Sequence, residues 1–118
     1  LMSGLAIGMS FEEFLPVLYF ERHDFMMVAM DALVNHIDKI ERISHGEFKV
    51  PVIIRAVTAD GGPFYSGITH SQDFTEVLKA AVTFPVYDPK NGKEILEAFR
   101  NARDSKRPAI IVERKSRY

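Results

Sequence analysis

The run Val50-Pro-Val-Ile-Ile-Arg-Ala-Val57 restricts the possible folds more than any other stretch of this chain. From Pro51 to Val57 it is apolar at every position except Arg55, without the alternation of a half-solvated strand, and so reads as a central strand covered on both faces. Strands of that kind belong to parallel sheets sandwiched between helices. The run passes directly into Thr58-Ala-Asp-Gly-Gly-Pro-Phe-Tyr-Ser-Gly-Ile-Thr-His-Ser-Gln72, a polar loop studded with glycine. Loops at the carboxyl end of a buried strand are where α/β proteins place binding chemistry. His70 is therefore the candidate chemical centre.

The rest of the chain fits around that strand. Residues 1 to 9 are small and apolar, which suits a close-packed helix end, and Ser10-Phe-Glu-Glu13 has capping-box spacing for a single turn. Pro16 then leads into the strand formers Val17 to Phe20. Asp24 is placed to cap a long helix over Phe25 to Ile43, stopped by His45-Gly46. The first half of that helix is apolar nearly all round, so it has to be covered on every side and is expected in a subunit or domain interface, with Asp31 requiring a partner. Asp73-Phe-Thr-Glu76 has capping-box spacing for a helix to about Ala81, followed by strand residues Val82 to Phe84 and the turn Tyr87 to Gly92. Ile95, Leu96, Phe99 and Ala102 mark one face of an amphipathic helix that ends before Pro108, and Ala109 to Glu113 form a last strand. This alternation predicts an α/β fold, a mainly parallel sheet with helices on both faces, as a single domain over residues 1–118. Ligands of such sheets bind outside the carboxyl ends of the strands, where the loops 20–25, 57–72 and 85–92 emerge.

Composition narrows the function classes. The 15 basic and 16 acidic residues nearly cancel and are interspersed, which argues against a nucleic-acid partner. With no cysteine there is no disulfide framework, thiolate metal site or thiol nucleophile. No apolar run reaches the ~20 residues that span a bilayer, so no membrane partner is expected, and the chain reads as soluble and cytoplasmic. Leu1 opens on a helical pattern already under way, as expected of a piece of a longer chain.

Each candidate residue has a plain reading beside its functional one. His70 sits among the hydrogen-bonding side chains of Thr69, Ser71 and Gln72, suited to acid, base or anion contact, or simply to fixing the turn. Arg22 and His23, just after the first strand, suit a carboxylate substrate or form a solvated corner. Phe25 is by default a core aromatic. Gly61-Gly62 lacks the spacing and lysine of a phosphate loop. No histidine and carboxylate set has metal-site spacing, so no metal is expected to be held by this chain alone.

Read together, Gly4-Leu-Ala-Ile-Gly-Met9, Pro16-Val17, Asp24-Phe25, Asp31-x-x-Val34-Asn35, Pro51-Val-Ile-Ile-Arg55, Thr69-His-Ser-Gln72, Tyr87-Asp88 and Pro108-x-Ile-Ile-Val-Glu113 stand in a familiar order. The ordered set resembles the pyrimidine-binding domain of transketolase-like thiamine-diphosphate enzymes, most closely the beta subunit of 2-oxoacid dehydrogenase decarboxylating components. The resemblance implies a cofactor, thiamine diphosphate, shared with a diphosphate-binding subunit or domain that also holds magnesium, within a homo- or hetero-oligomer. It implies Phe25 as the aromatic stacked on the aminopyrimidine and His70 as the active-site histidine, whereas Arg22 and His23 depart from it, standing where small or apolar residues are commoner, as expected of a substrate unlike pyruvate with an extra anionic group. The substrate would be a 2-oxo acid or a ketose.

The resemblance has departures. It places the family's activating glutamate two residues ahead of Leu1, and the stretch from Gln72 to Tyr87 is shorter than in usual beta subunits and lacks their second histidine. A noncatalytic assembly or regulatory domain that keeps the fold is the alternative, and an unrelated doubly wound nucleotide binder is a third.

Overall fold

A computed structural model of the chain describes residues 1–61, 63 and 65–117. Strands β1 (Val17–Phe20), β2 (Ile53–Thr58), β3 (Val86–Tyr87) and β4 (Ala109–Arg114) form one sheet in the order β1-β2-β4-β3, with every pairing parallel. The register sets Val17 beside Ile53, Ile53 beside Ala109, and Val86 beside Ile110. The fold is thus α/β, with helices on both faces of a parallel sheet.

The pleat divides the strand residues between two cores. Leu18, Phe20, Ile54, Ala56, Ile110 and Val112 face the larger one, closed by Ala6, Met26, Leu33, Ile37, Leu78 and Phe84 from the helices and connections. On the other face Ile53, Ala109 and Ile111 lie under Ala98 and Ala102 of one amphipathic helix. Arg55 shares this second face and is accommodated by pairing. Its Nε and Nη2 donate to the nearly buried Glu113 carboxylate at 2.6 and 2.8 Å, and its guanidinium lies 5.0 Å from the Tyr19 ring centroid. Covered on both sides, β2 is the central strand its apolar run predicts.

The helices depart from the expected boundaries for identifiable reasons. Helix α1 runs from Met2 to Phe11, so Ser10 is in its last turn, donating to the Ile7 carbonyl at 2.7 Å, and caps no new turn. The chain is helical over 23–43 but unevenly: α2 (His23–Met26), a tight turn over Met27–Ala29, a widened turn over Ala32–Ile37, and α3 (Ile40–Ile43). Arg22, not Asp24, is the N-cap, because the Asp24 carboxylate is engaged by Gln72 across the loop. His45 and Gly46, both at positive φ, end the segment as expected. Asp31 lies exposed, taking a bond from Asn35 at 2.8 Å.

The strand expected at Val82–Phe84 is displaced to Val86–Tyr87. Thr83 gives both its N–H and its hydroxyl to Asp38, at 2.7 Å each, so ladder pairing begins only after it, with Ile110 N–H donating to the Pro85 carbonyl. Helix α4 (Thr75–Ala81) starts after Asp73, whose carboxylate accepts from the Thr75 N–H and hydroxyl; Glu76 turns to Lys79 and the reciprocal half of the capping box is not made. Helix α5 (Gly92–Ser105) has Asn91 as N-cap, accepting from the Glu94 N–H at 3.0 Å. No helix among the described residues is long and apolar enough to cross a membrane.

Candidate functional site

Because all strands are parallel, the segments after Phe20, Thr58, Tyr87 and Arg114 emerge at one edge. Phe25 lies at the start of α2 on this edge and is 45% exposed, unlike Met26 beside it, which is buried. His70, on the loop after β2, stands edge-on to it, ring centroids 5.6 Å apart at 87°. Sequence-distant residues singled out separately are thus brought together.

The loop holding His70 is tied at several points. Gly61 and Gly67 turn through positive φ, where a side chain would be strained, and the His70 N–H donates to the Gly67 carbonyl at 3.1 Å. The Thr69 hydroxyl engages His70 Nδ1 at 2.9 Å. Gln72 closes the loop, its Nε2 donating to Asp24 at 2.7 Å while its carbonyl accepts from the buried Thr58 hydroxyl at 3.2 Å. Gly62 of the glycine pair lies outside the described residues.

Arg22 and His23 are adjacent in sequence but differ in setting. His23 is fully buried between β2 and α4: the Phe74 N–H donates to Nδ1 at 3.0 Å, and Nε2 faces the Ala56 carbonyl at 3.3 Å. A backbone N–H only donates, so these partners assign the neutral ring with its proton on Nε2. Burial lowers the His23 pKa below the usual histidine value, against the opposing pull of Asp73. Both ring nitrogens are thereby engaged within the chain, which makes His23 a joint between strand and helix. Arg22 is only 11% exposed and reaches toward the loop, Nη2 donating to the Ser66 hydroxyl at 3.3 Å and Nη1 to the Glu21 carbonyl at 2.8 Å.

A third feature of this edge has no forerunner in the sequence reading. Arg114, at the end of β4, donates through Nε and Nη2 to Asp88 at 3.0 Å each and through Nη1 to Asp73 at 2.5 Å. Ser116 donates to Asp60 at 2.6 Å, and Arg117 to Asp88 at 2.8 Å. Burial alone would raise the Asp73 carboxyl, but hydrogen bonds from Thr75 and Arg114 outweigh it and hold the pKa at about 2. The hydrogen bonds that Arg114 donates to Asp88 raise its pKa above the usual arginine value. One guanidinium thus fastens both the end of the His70 loop and the turn after β3. Nothing periodic in the sequence marks it, since its members come from separate loops.

Beside Phe25 lies an open cavity of about 410 Å³ whose walls include Leu1, Met2, Phe20 and Val28. Its lining is mainly apolar, with Ser3 and Asp31 as the polar members. Among the described residues no group of three or more histidines and carboxylates could hold a metal ion. A larger cavity, about 690 Å³, lies at the opposite edge around Phe11, Phe14, Phe48 and Lys106, away from this site.

No family model matches the chain. Curated relatives align with nearly all of it. The 2-oxoisovalerate dehydrogenase subunit beta of Pseudomonas aeruginosa is 32% identical over 98% of this chain and 32% of its own length. The mitochondrial pyruvate dehydrogenase E1 component subunit beta of Ascaris suum is 30% identical over 99% of this chain and 32% of its own length. For the pyruvate dehydrogenase E1 component subunit beta of Rickettsia felis the figures are 27%, 98% and 35%. Over nearly its whole length, the chain is therefore homologous to the E1 beta subunits of pyruvate and 2-oxoisovalerate dehydrogenases, and it spans about a third of the length of these relatives.

Proposed function

We propose that this chain is the pyrimidine-binding domain of a thiamine-diphosphate-dependent enzyme of the 2-oxoacid dehydrogenase type. It would supply Phe25 and His70 to a cofactor site completed by a partner. The observation that carries the reading is the edge-on contact of Phe25 and His70 at the carboxyl edge of the sheet. The residues present fit the organic half of the cofactor: a half-exposed aromatic ring beside an open, mainly apolar cavity suits an aminopyrimidine, while among the described residues no group of three or more histidines and carboxylates could hold the metal of a diphosphate. A diphosphate-binding subunit or domain holding magnesium would supply the rest.

When bound, thiamine diphosphate would supply nucleophilic carbon chemistry at the carbonyl of a 2-oxo acid, or of a ketose. The chain's own residues would do less dramatic work. Phe25 orients the pyrimidine ring by stacking. His70, with Nδ1 held by Thr69, keeps Nε2 for a proton at the substrate carbonyl oxygen. Gln72 and Arg114 hold the loop that carries His70. The exposed Leu1, Met2 and Val28 beside Phe25 form an apolar surface suited to the partner, which would close the site and exclude water.

The test is a calorimetric titration of thiamine diphosphate and magnesium into the chain with its partner subunit. Binding that needs both chains and weakens on Phe25→Ala supports the reading. A stable complex that binds no cofactor favours the noncatalytic assembly domain.

A further inference from the structure

Three arginines of this chain can be compared at the same side-on edge, the parallel Nε–H and Nη2–H that match a carboxylate. In Arg55 that edge holds Glu113, and in Arg114 it holds Asp88, each through two bonds. In Arg22 it is unfilled. Nη2 reaches a neutral hydroxyl, Ser66, at 3.3 Å, and Nε is buried with no acceptor. A buried N–H without an acceptor carries its desolvation penalty uncompensated, and 3.3 Å is long for a charge-assisted bond. Exchanging the Ser66 hydroxyl for a carboxylate would satisfy both donors.

The surroundings indicate where such a carboxylate would come from. Arg22 is the N-cap of the helix that bears Phe25, and Ser66 lies on the loop that bears His70. The neighbouring carboxylates leave this edge alone: Asp24 is held by Gln72, and Glu21, more than half exposed, lies 3.6 Å from Nη1. His23 is turned inward.

We propose that the Nε and Nη2 edge of Arg22 receives the distal carboxylate of a dicarboxylic 2-oxo acid, with Ser66 moving aside. This inference rests on the thiamine-diphosphate reading and names its substrate class. The carboxylate next to the 2-oxo group is the wrong ligand for this edge. Its charge moves off it as carbon dioxide departs, so a guanidinium bonded to it would stabilise the ground state above the transition state. A distal carboxylate keeps its charge throughout, and its binding energy serves to position the reacting end.

Two measurements test this. In the full chain labelled with 15N-arginine, the Arg22 Nε–H resonance, assigned by its loss in Arg22→Lys, should move saturably with glutarate, more weakly with butanoate, and not with inorganic phosphate. In the assembled enzyme, Arg22→Met should lower the ratio of kcat/KM for 2-oxoglutarate to that for 2-oxobutanoate by about tenfold or more. An equal response to all three anions overturns the proposal. Turnover of 2-oxo acids with an unchanged ratio in Arg22→Met overturns it too, and leaves the cofactor reading standing. A selective glutarate response in a chain whose complex binds no thiamine diphosphate overturns that reading and leaves the carboxylate site.

Discussion

The His70 imidazole meets Phe25 edge to face, centroids 5.6 Å apart at 87°, and this contact joins the start of α2 to the loop after β2. Such pairs contribute about 0.5–1.5 kcal/mol beyond the area they bury. Phe25→Ala is therefore expected to cost the folded chain only about 1 kcal/mol, because the ring is half exposed. It should also shift the His70 ring-proton resonances by removing the ring current beside them. Unshifted His70 resonances would show that the two rings do not meet in solution.

His70→Ala separates binding from chemistry. If His70 acts on the substrate and not the cofactor, the assembled enzyme should lose turnover by about 10²-fold or more while its affinity for thiamine diphosphate changes little. Single-turnover kinetics beside a cofactor titration would separate these effects. Turnover equal to that of the unaltered enzyme removes His70 from the site.

What the sequence discloses of this fold follows from how local each signal is. β1, β2 and β4 are legible because runs such as Val52 to Val57 and Ala109 to Val112 are apolar without interruption or nearly so, and nothing distant moves them. β3 is misplaced because Thr83 bonds to Asp38, which is remote in the chain, and the N-cap of α2 because Asp24 bonds to Gln72. Of the candidate site, His70 stands out by its loop, whereas Phe25 stands out only through a family resemblance. The Arg114 cluster and the buried Nε of Arg22 without an acceptor are properties of side chains from several loops, and no spacing rule reaches them.

Acid should loosen the carboxyl edge through Asp73. Its carboxyl titrates near 3.8 in an unfolded chain and at about 2 when folded. The stability it contributes is therefore fully present above about pH 4 and is lost as pH falls toward 2. The shift alone corresponds to about 2.5 kcal/mol, but the side chain is 38% exposed, and solvent screening reduces this to about 1 kcal/mol. Asp73→Asn should be less stable at pH 7 and lose part of the acid dependence, measurable by urea denaturation across that range. Parallel pH profiles for the two chains would place the acid sensitivity elsewhere.

His23 predicts a second, milder limb. Its ring is held neutral, with a pKa below 6.5 because burial disfavours the imidazolium. The unfolded chain thus takes up a proton as pH falls through 6.5 while the folded chain does not, so the stability from this residue is present above that pH and declines below it. Long-range proton–nitrogen spectra at pH 7 should report the proton on Nε2, with Nδ1 showing the shift of an acceptor. Removing the group by His23→Gln should flatten the stability profile between about pH 5 and 7. A ring observed with its proton on Nδ1 contradicts the Phe74 hydrogen bond and the joint it forms.

The Arg55 and Glu113 pair sets the cost of a charge on a central strand. Glu113 is 5% exposed and takes two bonds from Arg55, so Arg55→Met removes both from a buried carboxylate and should destabilise the chain by about 2–4 kcal/mol. Replacing both residues together, Arg55→Met with Glu113→Leu, also removes the carboxylate that has lost these two bonds and should recover most of that loss, because apolar side chains of similar volume fit a face already lined by Ile53 and Ile111. Chemical denaturation of the two single variants and the double variant forms a closed cycle. A double variant as unstable as the sum of the singles would mean that the pair acts through geometry that apolar packing cannot replace.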